Sequence, residues 1–175
     1  MKTMSIPFVG RAARPTSGVS GLLDTVMPDY NVAVRRSVTV RAPARTVYMA
    51  LASAAEAARY GEFVLLTRQP GLEILLGASG RAVKLAAGHA LSASVASWCA
   101  YQRPGTARAA TSLRVVAVDY QTARILAETR VQTRGIASDL LLHVTRRLPA
   151  RPALRLLRQA GRAAEKDAGL FLLTQ

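Results

Sequence analysis

From Thr106 to Val131 apolar and polar residues alternate with period two, interrupted once by a short polar turn. Ala109, Thr111, Leu113, Val115 and Ala117 share one side before the turn, and Ile125, Ala127, Thr129 and Val131 share it afterwards. Arg108, Ser112, Arg114, Arg124, Glu128 and Arg130 fall on the other side. The pattern predicts an antiparallel hairpin whose apolar face must be covered, and the chain that follows directly is the expected cover. Tyr30 to Arg41 alternates too, with Val32, Val34, Val38 and Val40 on one face, and predicts an earlier strand. Pro43 then presets a first helical turn. Val47, Ala50, Leu51, Ala54 and Ala58 recur at helical spacing as far as about Arg59, and Gly61 ends the segment.

Between this helix and the hairpin lie short strand-like runs, Glu62 to Arg68, Leu72 to Gly77, Gly80 to Ala86 and Ala90 to Tyr101, punctuated by Pro70-Gly71, Gly88 and Pro104-Gly105. They predict a meander of antiparallel strands. Beyond the hairpin Ile136, Leu140, Val144 and Leu148 recur every four residues and predict a helix, which Pro149 and Pro152 should break. A second helical segment runs from about Ala153 to Lys166, with Leu154, Leu157, Gly161 and Ala164 inside and Arg151, Arg155, Arg158 and Arg162 outside. Residues 1–27 carry no sustained period and read as a flexible leader, 28–167 as one domain, and 168–175 as a tail. Because the ordered pattern begins just after Met27, translation from Met27 stands beside translation from Met1.

The order strand, helix, antiparallel strands, closing helical segment is that of an α+β helix-grip fold. From Tyr30 to about Glu165 the chain resembles bacterial members of the START-like, polyketide cyclase/dehydrase superfamily (SRPBCC). The residues that carry the likeness are the strand leading into Ala42-Pro43, then Glu62-Phe63-Val64-Leu65-Leu66 before Pro70-Gly71. Glu73-Ile74-Leu75-Leu76-Gly77 with Gly80-Arg81, Trp98 and Tyr101 before Pro104-Gly105, and Glu128-Thr129-Arg130-Val131 complete it. The resemblance implies a curved antiparallel sheet of about six to seven strands wrapped around a C-terminal helix. The chain departs from it in a short section before Phe63, in small residues at Ala82, Val83 and Thr111, and in the two prolines.

The resemblance further implies a small hydrophobic ligand, lipid or polyketide-like, held between sheet and C-terminal helix. Strand parity turns Thr111, Leu113, Ile125 and Thr129 toward that helix, with Leu140 and Val144 facing them; packing as plain core accounts for the same residues. Trp98 and Tyr101 are the candidate polar-tipped aromatics, although three positions apart on a strand they face opposite ways. No catalytic residue is assigned, since the inward faces read from parity hold no carboxylate or histidine. Glu128 and Glu73 read as exposed ion-pair partners. A cyclase or dehydratase requires a polar inward residue that this reading does not place.

Composition changes the picture in three ways. A net charge of +14 raises nucleic acid or an anionic surface as partner, but Arg far outnumbers Lys and Ala is abundant, the mark of a GC-rich genome. Nucleic acid is therefore not the expected partner. The row Arg151, Arg155, Arg158, Arg162 still sets guanidinium groups along one helical side, suited to an anionic membrane surface as well as to plain solvation. A single cysteine, Cys99, and two separated histidines, His89 and His143, offer no metal set, and no cofactor motif is present. The absence of an export signal and of a long apolar run makes a cytoplasmic, at most peripheral, location the expectation. Oligomeric state is not legible.

Overall fold

The computed structural model of the chain describes residues 3–6, 21–58, 63–81, 94–100, 105–133 and 151–173. In chain order these form β1 (Thr3–Ile6), α1 (Leu22–Val26), β2 (Val32–Val40), α2 (Ala44–Ala58), β3 (Val64–Gln69) and β4 (Glu73–Arg81). They continue with α3 (Val95–Ala100), β5 (Thr106–Ala117), β6 (Ala123–Thr133) and α4 (Arg151–Leu173). The strands pair antiparallel throughout, in the order β1-β2-β6-β5-β4-β3.

The hairpin has the register that period two requires: Ala109 faces Val131, Thr111 faces Thr129, Leu113 faces Ala127 and Val115 faces Ile125. At its tip the Val118 and Asp119 amides donate to the Thr122 carbonyl, and the Asp119 carboxylate accepts the Gln121 amide, an Asx turn that closes the loop. The turn from β3 to β4 is Gln69-Pro70-Gly71-Leu72. Its closing hydrogen bond runs from the Leu72 amide to the Gln69 carbonyl, and Gly71 takes φ +76°, the left-handed conformation that favours glycine. In α2 the first helical hydrogen bond runs from the Val47 amide to the Pro43 carbonyl. This helix buries Val47, Leu51 and Ala55, together with Tyr48, against the sheet and α4.

Several expectations are corrected. Among the described residues the domain supplies five strands, β2 to β6, rather than six or seven, and the short β1 beside β2 comes from the expected leader. Leu72–Gly77 and the start of Gly80–Ala86 are one strand, β4, running through Gly77 and Gly80 to Arg81. The end of the expected strand Ala90–Tyr101 is instead a helix. Ser94 caps α3, its hydroxyl accepting the Ser97 amide while the Ser97 hydroxyl accepts the Ser94 amide. The last helix begins at Arg151, close to the expected Ala153, with Pro152 at its beginning, where a missing amide costs nothing, and it continues beyond the expected Lys166 to Leu173. The expected helix Ile136 to Leu148 lies outside the described residues.

The sheet is covered on both faces. On the concave face Val32, Val34, Val38, Ile74, Leu76, Leu113 and Ile125 pack with α2 and with Leu156, Leu157, Ala160 and Ala164 of α4. On the convex face a second, smaller core joins Leu75 and Ala110 to Leu23 and Met27 around α1, and to Trp98 of α3. Leu23 and Met27, from the end of the expected leader, are both buried.

Candidate functional site

The concave face is built from side chains that the register sets in rows across the sheet. One row runs Val34, Thr129, Thr111, Leu76, and the next runs Arg36, Ala127, Leu113, Ile74. Thr111 and Thr129 are buried, with their hydroxyl oxygens 2.9 Å apart in a hydrogen bond. Two hydroxyls that satisfy each other can sit within an apolar surface at little cost, and each keeps capacity to accept another hydrogen bond. Ala109, Ala127 and Ala78 surround them with small side chains.

Of the residues named from the sequence, Thr111, Leu113, Ile125 and Thr129 come together on this concave face. Trp98 does not join them. It lies on the convex side, buried against Leu75 and Ala110, because the helix α3 folds back over that face. Its indole N–H donates to the Ala109 carbonyl at 2.9 Å and the Arg108 guanidinium lies 5.0 Å from its ring centroid, so its polar atom is already satisfied. Tyr101, Leu140 and Val144 lie outside the described residues. Arg155, Arg158 and Arg162 stand exposed on α4 opposite Leu157, Gly161 and Ala164, and Arg151 opens that helix.

Parity reading missed one inward residue. Arg36 pairs with Ala127 between Val34 and Val38, so its half-buried side chain belongs to the concave row. The signal was present in the strict alternation of β2 from Val32 to Val40, which runs without interruption through Arg36.

The convex face departs furthest from expectation. Glu73, read as an exposed pair partner, is fully buried; its carboxylate accepts the Ser112 hydroxyl, Arg114 Nη2 at 3.1 Å and the Leu22 amide at 3.3 Å. Arg130 is buried as well. It donates to Glu128 at 2.8 Å, to Asp24, and to the Met27 carbonyl at 3.0 Å, with its guanidinium 4.6 Å from the Tyr30 ring centroid. Burial pulls the Arg130 pKa down, but its hydrogen bonds to Glu128 and Asp24, and their charges, outweigh that and hold it above the ordinary guanidinium value. Glu128 also binds Arg35 at 2.7 Å, extending the chain of ion pairs across β2.

A curved antiparallel sheet with α2 and the C-terminal α4 on its concave side settles the architecture. It is a helix-grip fold. No family model matches the chain, and no curated protein matches it. Among solved structures it is similar to the Zhui aromatase/cyclase of Streptomyces sp. R1128, with 14% identity, a TM-score of 0.43, and 77% of this chain and 93% of that one covered. It is also similar to a norcoclaurine synthase of Thalictrum flavum, with 9% identity, a TM-score of 0.44, and 77% and 94% covered. For the human StarD13 lipid transfer and protein localization domain the values are 8%, 0.35, and 75% and 76%. At these values the likeness assigns no residue a role, and chemistry on this helix-grip chain must come from its own side chains. Among the described residues no helix is long and apolar enough to cross a membrane.

Proposed function

We propose that the chain binds a small hydrophobic molecule between the concave face and its C-terminal helical segment. The observation that carries this reading is the Thr111–Thr129 hydroxyl pair, buried among alanines and branched apolar residues on the concave face. An apolar surface with one convergent polar spot orients a ligand by that spot and holds it by area. Leu113 and Ile125 supply area, and the two threonines supply the hydrogen-bonding point. Leu140 and Val144, from the expected helix, belong to the same proposal.

Comparison of native and denatured masses of the purified chain tests it. A reproducible added mass that disappears in the double variant Thr111→Val/Thr129→Val, with folding intact, is the expected result. A chain that never carries an added mass, and takes up no long-chain fatty acid or aromatic polyketide-like probe, sinks the reading.

A second reading, a cyclase or dehydratase, is favoured by Arg36. An inward guanidinium beside apolar residues can steady an enolate or carboxylate oxygen as charge develops on it. Turnover of a polyketide-like probe by the parent chain, lost in Arg36→Met while the probe still binds, would select this reading. A third rests on the exposed Arg155, Arg158 and Arg162: salt-sensitive sedimentation with anionic but not neutral vesicles supports it, and no binding at low salt removes it.

A further inference from the structure

The contacts around α1 form a pattern that the ligand reading does not use. At the beginning of this turn of helix the Glu73 carboxylate accepts the Leu22 amide; at its end Arg130 donates to the carbonyls of Leu23 and Met27. A negative group at a helix N-terminus and a positive one at its C-terminus match the helix dipole, and both charges come from the sheet. The floor between them is apolar, with Leu75, Ala110 and Trp98 beneath Leu23 and Met27. Gly21 fits tightly at the edge, since a Cβ there would lie 2.5 Å from Arg114 Nη2.

We propose that this convex-face cradle is a docking site for a single helical turn, and that Gly21–Met27 occupies it as a detachable strap that leaves as a unit while the sheet stays folded. The kind of segment it accepts is written in its occupant: apolar residues four apart, Leu23 and Met27, with an acidic residue, Asp24, placed for Arg130. Detachment follows from the balance of contacts. Two buried apolar side chains, Leu23 and Met27, helped by the partly buried Leu22 and Val26, only about balance the ordering of the whole segment, so the charged contacts at its two ends decide whether it stays. The β5–β6 pairing beneath it is continuous from Ala107–Thr133 to Ala117–Ala123 and carries its own core on the other face.

Amide hydrogen exchange on the full-length chain, read residue by residue by NMR, tests the strap. The Asp24 and Met27 amides, bonded to the Gly21 and Leu23 carbonyls, should exchange about a hundredfold or more faster than those of Leu113 and Ile125. Asp24→Asn, a change at a partly exposed position, should accelerate the strap amides by roughly tenfold further and leave Leu113 and Ile125 unaltered. Leu23→Ala should act in the same direction through the apolar floor. Strap amides exchanging at the rate of the sheet centre would overturn the proposal, as would variants that accelerate strap and sheet equally.

Discussion

A buried carboxylate is worth most to the protein in the contacts it would leave behind. Glu73 satisfies a hydroxyl, a guanidinium and a backbone amide at once, so Glu73→Ala strands three groups rather than one. Arg114 is about a quarter exposed, which discounts the loss, and the expected destabilisation is about 2–3 kcal/mol by denaturant titration. The threonine pair behaves differently. Either Thr111→Val or Thr129→Val alone leaves one buried hydroxyl without its partner and should cost about 1 kcal/mol, whereas the double variant should return close to the parent stability. Trp98→Phe keeps one aromatic ring but removes buried volume and withdraws the indole donor from the Ala109 carbonyl, a loss of about 2–3 kcal/mol in the same measurement. Arg130 gives a pH prediction with a definite sign. Its pKa is raised on folding, so its contribution is complete below the ordinary guanidinium value and fades only as pH rises through the folded one. Titration of Arg130 itself should therefore produce no stability change across the neutral range; a thermal-melt series comparing the parent with Arg130→Met would expose any such slope as their difference.

Elements were legible in proportion to how local their cause is. Strict alternation with one apolar side fixed the β5–β6 register, and helical spacing after a proline located α2, because both signals lie within a few residues of one another. β4 was divided in two by its glycines. Covered on both faces, it shows a nearly continuous buried run rather than alternation, and Gly77 is small because Leu66 fills its space: a Cβ there would lie 2.8 Å from Leu66 Cδ2. Helix α3 was missed because six residues are too few to show a period, although Ser94 and Ser97, three apart, are a capping signature. Turn chemistry is local as well. Gly71 has open space around its missing Cβ but a left-handed φ, so Gly71→Ala should cost roughly 1–2 kcal/mol through backbone strain alone, measurable as a lowered unfolding midpoint.

At the scale of the whole molecule, sequence distance hid most of the candidate chemistry. Four of the eight ligand residues named in advance gather on the concave face, Trp98 is on the other side, and the remaining three lie outside the described residues. The convex network was illegible for a simple reason: Asp24 and Arg130 are 106 positions apart, and Leu22 and Glu73 are 51 apart, so no spacing rule connects them. Charged residues on a face opposite an apolar one look solvated until something from elsewhere in the chain lies over them. A chain beginning at Met27 would leave Arg130 without Asp24 and Glu73 without the Leu22 amide. It should unfold at clearly lower denaturant than the chain beginning at Met1, which makes the alternative start a question of stability.

The strand order also leaves borders at which a strand from another copy can add. A sheet with two free sides offers unpaired amides and carbonyls to any passing strand. On one side stands β3, short, broken by an irregularity between Leu65 and Thr67, and finishing in Arg68 and Gln69 just before Pro70, features that discourage a newcomer from extending the ladder. On the other side β2 is nine residues long and regular, and among the described residues Thr3–Ile6 lies along its outer side. The first few residues therefore act as a guard on the longer border. Removing Thr3–Ile6 should raise strand-to-strand self-association on concentration, read by light scattering against the parent chain.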